Sequence, residues 1–290
     1  MKTFTIKDFN AQFSTDDACL DWLRHRLFPE LIDCPICKVP RQFHRVKTRK
    51  VYECDRCGYQ LSPTAGSIFH KSPTPLRSWF YAMFLMANTR TGISAKQLER
   101  ELGVTYKTAW RMFKLIRTLM EEGTGPLFGD VEADETYIGG KVSGKGRAYK
   151  GNKTIVAGLV ERGGKAIVQV VPDVKASTLI PIIQENVPLG QGTTIHTDEL
   201  RSYNRLTSLG YAHDTVQHAA KEYVRGAAHT QTIVGLWSNV KRGIDGVNHA
   251  VSPRHLQGYL DSYTFRYNHR DDETPMFQTL LGRVSSETVE

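Results

Sequence analysis

The sequence predicts an α/β protein, and three stretches carry this prediction. In residues 130–140, carboxylates alternate with small or apolar residues, which is the period-two pattern of a strand. Residues 154–160 and 166–171 have the pattern of a hairpin, and residues 177–186 that of a helix leading into a short strand that ends at Asp198. A sheet that begins antiparallel and then crosses over through a helix belongs to the α/β class.

The acidic strand predicts a metal site. Alternation puts Asp130, Glu132 and Asp134 on one face, and Glu135 with its apolar neighbours on the other. Carboxylates two residues apart repel each other and raise each other's pKa, so a divalent cation is the simplest way to neutralise them. The alternative is a solvated edge strand on which Asp134 merely caps a turn.

A second strand end favours the cation. Residues 193–198 follow two nearby glycines, read as a short strand and end in Asp198. Mg²⁺ prefers carboxylate oxygens and keeps some of its water, so two strands that each end in an aspartate offer what a magnesium site on a sheet requires. Mn²⁺ is the alternative ion.

Length and charge favour a nucleic-acid partner. A chain of 290 residues is long enough for about two domains with cores of their own. Its net charge of +8 and pI near 9.2 favour a polyanion, either nucleic acid or an anionic membrane surface. No apolar run approaches the roughly 20 residues of a spanning helix, and residues 1–5 lack the apolar core of a signal peptide. We therefore expect the chain to bind nucleic acid rather than a membrane. We expect it to be located in the cytoplasm.

Four of the five cysteines predict a structural zinc site. They fall as two Cys-x-x-Cys pairs, Cys34 with Cys37 and Cys54 with Cys57, which is the spacing of a tetrahedral zinc ribbon. Without a secretory signal, a disulfide framework is the poorer explanation. The basic residues between the pairs either touch phosphates or form a solvated hairpin. Cys19 lies in an apolar-periodic run and is expected to be a buried small hydrophobe.

Residues 94–111 predict a helix-turn-helix. Ser94 and Gln97 make a capping box for a first helix, Gly103 ends that helix, and Thr105 caps a second one. A short helix, a glycine turn and a longer helix are the elements of this motif.

The second helix has the pattern of a recognition helix. At about 100° per residue its apolar side chains gather on one side, while Lys107, Arg111 and Lys114 gather on the other. An anchored back and a basic front suit insertion into the major groove of DNA. The alternative is an ordinary amphipathic helix with a solvated polar face.

A basic, glycine-rich stretch follows the acidic strand. Residues 141–153 include Lys145 and Arg147 and stand next to the proposed metal site. They suit a phosphate backbone that passes the site, and an ordinary surface loop is the competing explanation.

The motifs together resemble one family. The chain carries, in this order, a Cys-x-x-Cys ribbon, a helix-turn-helix, Val-Glu-Ala-Asp134-Glu-Thr-Tyr-Ile-Gly-Gly, His-Thr-Asp198, and Leu-Trp237-Ser-Asn-Val-Lys241-Arg242-Gly with Arg266-Tyr-Asn-His-Arg270. It resembles the bacterial insertion-sequence transposases that join a zinc ribbon to a DDE domain. The resemblance covers nearly the whole chain, and the order of the motifs is more specific than any one of them.

The resemblance implies an RNase H-like mixed sheet with flanking helices. In that superfamily the catalytic carboxylates stand on the first strand, after the fourth strand and on a late helix. The implied domains are an N-terminal helix and zinc ribbon in residues 1–70, a helix-turn-helix region in residues 71–124 and an RNase H-like DDE domain in residues 125–290.

It also implies DNA transposition by two-metal phosphoryl transfer. Asp134 and Asp198 are the implied ligands of two Mg²⁺ ions, and the catalytic Lys241 is implied to hold the scissile or flanking phosphates together with Arg242. The implied partners are double-stranded DNA, as terminal inverted repeats and target, and further copies of the chain, because transposition joins two ends. Such a protein is expected at the nucleoid.

The third acidic position departs from the family. In such families an acid stands seven residues before the lysine that matches Lys241, and Val234 occupies that place here. Gln231 lies near it on a helical wheel, but an amide adds no charge. Either the copy is weakened or inactive, or it recruits another ligand. The candidates are Glu132, Glu199 and Glu222.

Two other functions stay open. The missing acid favours a DNA-binding regulator, made of the zinc ribbon and the helix-turn-helix, whose C-terminal domain serves only for association. The two aspartates at strand ends count against it. A nuclease that cuts without strand transfer is the second alternative.

Overall fold

The computed structural model describes residues 3–123, 125–139, 153–216, 224–225 and 228–285. The chain forms two compact units. The first comprises Met1–Thr89, Ala95–Leu119 and Asp272–Glu290, and the second comprises Arg90–Ser94 and Met120–Asp271. The division into residues 1–70, 71–124 and 125–290 stays a prediction.

The helices and strands are as follows. In chain order the α-helices are α1 (Ile6–Gln12), α2 (Asp16–Leu27), α3 (Leu76–Asn88), α4 (Ala95–Leu102), α5 (Tyr106–Thr118), α6 (Ala176–Asn186), α7 (Gln231–Gly243), α8 (Pro253–Asn268) and α9 (Met276–Gly282). The strands are β1 (Ile32–Asp33), β2 (Pro40–Arg41), β3 (Phe43–Val46), β4 (Val51–Cys54), β5 (Gln60–Leu61), β6 (Asp130–Ile138), β7 (Thr154–Glu161), β8 (Ala166–Val171), β9 (Thr194–Thr197), β10 (Ala212–Thr215), β11 (Val224–Arg225) and β12 (Ala228–His229).

The first unit has an aromatic core. Phe13 is buried and packs edge-on against Phe80 and Phe277, with ring centroids 5.0 and 5.9 Å away. α2 begins after Thr15, whose hydroxyl accepts a hydrogen bond from the Ala18 N–H. The ribbon follows as an antiparallel sheet in the order β3-β4-β5 beside the β1-β2 pair.

The predicted helix-turn-helix is present in the first unit. Gly103, with a φ of 62°, ends α4. The Thr105 hydroxyl caps α5 by accepting from the Thr108 N–H. Lys107 and Lys114 are exposed, whereas the opposite side of α5 is buried. Its buried residues include Ala109, Met112, Phe113 and Ile116.

The second unit is a five-stranded mixed sheet in the order β10-β9-β6-β7-β8. β6, β7 and β8 form an antiparallel meander, and β9 runs parallel to both β6 and β10. The chain thus places the first strand of the sheet at its centre, beside the fourth. This is the arrangement that brings groups on the first strand and after the fourth to the same edge, and it confirms the predicted RNase H-like α/β fold.

Helices cover both faces of this sheet. On one face Leu179 and Ile183 of α6 pack with Val131, Ala133 and Ile195. On the other face α7 and α8 pack against β7 and β8, through Ile233, Leu236, Val240, Leu256, Leu260, Val156 and Val168. Among the described residues, no helix has both the length and the apolar character needed to cross a membrane.

Candidate active site

Strand pairing brings Asp134 and Asp198 to one place. β6 and β9 run parallel, and the last step of their register pairs Glu132 with His196. Two residues further along lie Asp134 on β6 and Asp198 just after β9. Parallel strands carry equivalent positions side by side, so the two aspartates meet where this pairing ends.

Glu135 joins the two aspartates. One ligand atom from each of Asp134, Glu135 and Asp198 lies within 4.8 Å of the others. The three donors are hard carboxylate oxygens, which Mg²⁺ and Mn²⁺ prefer. Oxygens that bind one Mg²⁺ are at most about 4.2 Å apart, so the three carboxylates would need only a small movement of their side chains to hold one ion together. The donor set therefore fits a divalent cation.

Hydrogen bonds and mutual repulsion both act on this cluster. The Tyr203 hydroxyl donates to Glu135 Oε2 at 2.9 Å, and the Leu200 N–H donates to Asp198 Oδ1 at 3.0 Å. A carboxylate has about four lone-pair sites, so each bond orients its group and leaves capacity for a cation. Burial, followed by the negative charges of Asp198 and Asp134, raises the pKa of Glu135 to about 7. A bound cation relieves both effects.

Strand alternation predicts that Glu135 lies away from Asp134, whereas the structure brings the two carboxylates together. Glu135 lies on the opposite face of β6 from Asp134, and alternation therefore separates the two. Beyond Glu132 no pairing between β6 and β9 is present in the described residues. Asp198 can therefore lie within reach of both faces. The signal in the sequence that could have identified Glu135 is its position directly after Asp134, beyond the point where β6 and β9 stop pairing.

Trp237 of α7 holds Asp134, and a glycine makes room for it. The indole N–H donates to Asp134 Oδ2 at 3.0 Å. Gly158 faces Asp134 across the β6-β7 register. A Cβ at Gly158 would lie 2.6 Å from Trp237 Cζ2 and 3.2 Å from Ile233 Cδ1, so only glycine lets the indole lie against the sheet here.

Glu132 has a structural role, which corrects the expectation of a solvated or metal-binding group. It is fully buried. Its carboxylate accepts hydrogen bonds from Arg162 Nε at 2.8 Å, the Thr232 hydroxyl at 2.9 Å and the Ile233 N–H at 2.9 Å. The bonds to Thr232 and Ile233 join β6 to the first turn of α7. The acidic cluster at the sheet edge consists of Asp134, Glu135 and Asp198 and does not include Glu132. Asp130, by contrast, is about half exposed and bonded to His196.

The other suggested positions are exposed or lie outside the described residues. Val234 is 48% exposed on α7 and has no oxygen to offer. Gln231 and Glu199 are exposed. Glu222 lies outside the described residues, as do Lys145 and Arg147.

The predicted phosphate-binding residues differ in their surroundings. Lys241 and Arg242 are exposed on α7, and Arg242 Nη2 donates to Asn239 Oδ1 at 2.7 Å. In the first unit, Arg111 is exposed at the front of α5, with its guanidinium 5.8 Å from the centre of the Trp79 ring.

The four ribbon cysteines form a second metal-binding group. Cys34 and Cys57 have their Sγ atoms 3.5 Å apart, and Cys37 and Cys54 have theirs 4.0 Å apart. A tetrahedral zinc with Zn–S bonds of about 2.3 Å requires sulfur atoms about 3.8 Å apart. The distances fit, and the thiols are free rather than disulfide-bonded. Cys19 is buried, as predicted, and burial raises its pKa to about 12.

Comparison with known proteins identifies two domains in this chain. Residues 126–268 match the model of the ISXO2-like transposase domain, and residues 14–60 match that of a transposase zinc-ribbon domain. A Halobacterium salinarum protein, described as an uncharacterized protein in transposable element ISH50, is 25% identical over 80% of this chain and 84% of its own length. An uncharacterized transposase-like protein of Haemophilus influenzae is 28% identical over 37% of this chain and 84% of its own.

Among solved structures, a simian T-cell lymphotropic virus intasome in complex with PP2A regulatory subunit B56 gamma is similar. It is 14% identical, with a TM-score of 0.31, and the match covers 63% of this chain and 72% of that one. That score is too low to bear on function.

An RNase H-like sheet with acids on its first strand and after its fourth, together with the match of residues 126–268 to a transposase domain, places the chain in the DDE class. The chain belongs to the family of insertion-sequence transposases that join an N-terminal zinc ribbon to an ISXO2-like DDE domain.

Removal of zinc should unfold the ribbon. Cys54→Ser, or chelation, leaves too few thiolates to hold the metal, so residues up to about Pro63 should become sensitive to protease while the second unit stays resistant. Metal analysis of the purified chain should find one zinc, retained in the control Cys19→Ala. Fresh wild-type protein without zinc would contradict this prediction.

Gly158→Ala should destabilise the second unit by about 1–3 kcal/mol, because the new methyl group overlaps Trp237. The matched control is Gly235→Ala on α7, where a Cβ meets open space; it should stabilise the protein by up to about 1 kcal/mol. Urea unfolding followed by circular dichroism measures both. Equal stability of the two variants would show that the indole does not need this space.

Proposed function

We propose that this chain cuts and joins DNA strands at the ends of an insertion sequence by two-metal phosphoryl transfer. The observation that carries the proposal is the meeting of Asp134, Glu135 and Asp198 at the edge of an RNase H-like sheet. Paired aspartates from two strands agree with the DDE class, and Glu135 supplies the third carboxylate that Val234 does not.

The chain's own groups hold and orient the reacting parts. The three carboxylates would hold Mg²⁺ or Mn²⁺. Bound divalent ions supply activation of a water or 3′-hydroxyl and stabilisation of the leaving oxygen. Trp237 fixes Asp134, and Tyr203 fixes Glu135, so the oxygens stand in place before the substrate arrives. Such preorganisation removes the need for side chains to reorient during the reaction.

Separate parts of the chain would bind the DNA. Lys241 and Arg242 are exposed cations on the helix that carries Trp237, which suits contacts to the scissile or flanking phosphates of double-stranded DNA. Lys107, Arg111 and Lys114 would read the terminal inverted repeat in the major groove, and the ribbon would add backbone affinity. Joining two ends requires two copies of the chain on the DNA, which supports a homo-oligomer.

A DNA-binding regulator is the second candidate function. Val234, in the place of the expected acid on α7, favours it. The carboxylate cluster opposes it, because three acids drawn together at a sheet edge destabilise a fold that never binds a cation.

Incubation with terminal-repeat DNA and Mg²⁺ or Mn²⁺ tests the function. Wild-type protein should nick and join strands, and Asp134→Asn and Asp198→Asn should each slow nicking by about a thousandfold or more, since each removes a metal ligand worth several kcal/mol. Glu185→Gln, an exposed acid on α6, is the control and should nick normally. Nicking without joining would identify a nuclease. Tight binding without cleavage in either metal would identify the regulator.

Glu135→Gln tests the third ligand separately. The amide can still accept the Tyr203 hydrogen bond but loses the charge, so Mn²⁺ affinity should fall by at least about tenfold. Electron paramagnetic resonance of free Mn²⁺ measures this without DNA or turnover. Glu199→Gln should bind as wild type does. If Glu199→Gln weakens binding and Glu135→Gln does not, Glu199 is the third ligand.

A further inference from the structure

The second unit contains a cavity that the metal site does not use. Its volume is about 590 Å³, and it opens between α7, the end of α8 and the segment Arg90–Ser94. The segment is packed onto α8: the Tyr263 hydroxyl donates to the Thr91 carbonyl at 3.4 Å, and a Cβ at Gly92 would lie 3.3 Å from Arg266 Nη2. The cavity is thus a built feature of one unit.

Four arginines give this cavity its charge. They are Arg90, Arg242, Arg266 and Arg270, and no acid is present among the described residues that line the cavity. Arg270 Nε lies 3.1 Å from the exposed Asp271, which offsets part of one charge. Like charges gathered around one concave space repel each other more strongly than on an open surface, because less water screens them. An anion is the occupant that removes this repulsion.

The inner two guanidinium groups are held in place. Arg266 lies over the Tyr263 ring at 4.8 Å, and Arg270 lies over the Tyr267 ring at 4.1 Å while donating to the Gly164 carbonyl at 3.0 Å. Burial lowers the pKa of Arg266 to about 10, which reflects the difficulty of keeping its charge away from water. Fixed, partly desolvated guanidinium groups bind phosphate oxygens more strongly than mobile ones do.

The remaining lining suits a phosphodiester rather than a carboxylate side chain or a metal complex. Arg90 and Arg242 are exposed at the rim. Thr91 and Asn239 add a hydroxyl and an amide. Arginine with neutral hydroxyl and amide groups is the set that contacts phosphate and sugar in protein–nucleic acid complexes.

We propose that this arginine cavity binds the phosphate backbone of a single DNA strand. The proposal rests on the proposed function, in which DNA is the substrate and strand ends are released. A duplex carries its phosphates on a stiff, convex surface and can reach only the rim, whereas a single strand can bend into the cavity. The site is therefore expected to hold a strand separated from its partner at or near a cleaved end.

Binding of a labelled oligothymidine to the full-length, zinc-loaded chain tests this, with no added Mg²⁺ or Mn²⁺. The rim variant Arg90→Gln/Arg242→Gln should bind about tenfold more weakly at moderate salt. Its plot of log affinity against log salt should be shallower by about 1.4, because each lost phosphate contact on a single strand removes about 0.7. The control Arg254→Gln, an exposed arginine at the start of α8 and not part of the cavity, should leave both values unchanged.

Further results test whether the cavity binds a single strand. Arg266→Lys keeps the charge and loses the planar fork, so it should weaken single-strand binding while duplex binding and the midpoint of thermal unfolding stay within error. A rim variant that loses no more affinity than Arg254→Gln overturns the proposal. So does an equal loss of single-strand and duplex affinity in Arg266→Lys, an inner position, which would show a general basic surface. Failure of wild-type protein to nick DNA would sink the proposed function and leave these binding results standing.

Discussion

The second unit depends on one buried carboxylate in the middle of its central strand. Glu132 accepts hydrogen bonds from Arg162 and from the Ile233 N–H in the first turn of α7. The first turn of a helix has unpaired N–H groups and a partial positive charge, so a carboxylate there is stabilising. Removal of one partner from a buried ion pair costs about 3–5 kcal/mol. This contact fixes α7 to the strand that carries Asp134.

The same contact sets where Trp237 lies. Ile233 and Trp237 are four residues apart, so they share a face of α7 and stand about 6 Å apart along its axis. Glu132 and Asp134 are two residues apart on β6, which is about 6.6 Å along a strand. The two spacings match, and the helix bonds to Glu132 at one step and to Asp134 at the next. Gly158 completes the fit by leaving the indole its space.

Local pattern predicts most of this fold, because each strand and helix carries its own signal. The hairpin of β7 and β8, the crossover helix α6, the helix-turn-helix and the zinc ribbon all follow from periodicity, turn residues and cysteine spacing. The role of Glu132 does not, since its partners lie 30 and 101 residues away in the chain. Alternation predicts which residues share a face of a strand, and it does not predict what covers that face. The strand pattern therefore predicts that Glu132 faces solvent or a metal, whereas helix α7 covers it in the structure.

In the proposed function, Glu135 changes what α7 contributes to the site. In the family pattern the late helix supplies a metal ligand, so the helix must hold both a charge and a precise position. Here Val234 leaves that helix without the acid, and two of the three clustered carboxylates come from β6, a rigid central strand. The set then depends on the pairing of β6 with β9 more than on the orientation of α7. Helix α7 keeps the tasks of placing Trp237 and of presenting Lys241 and Arg242. Contacts to phosphates tolerate small shifts better than metal coordination does.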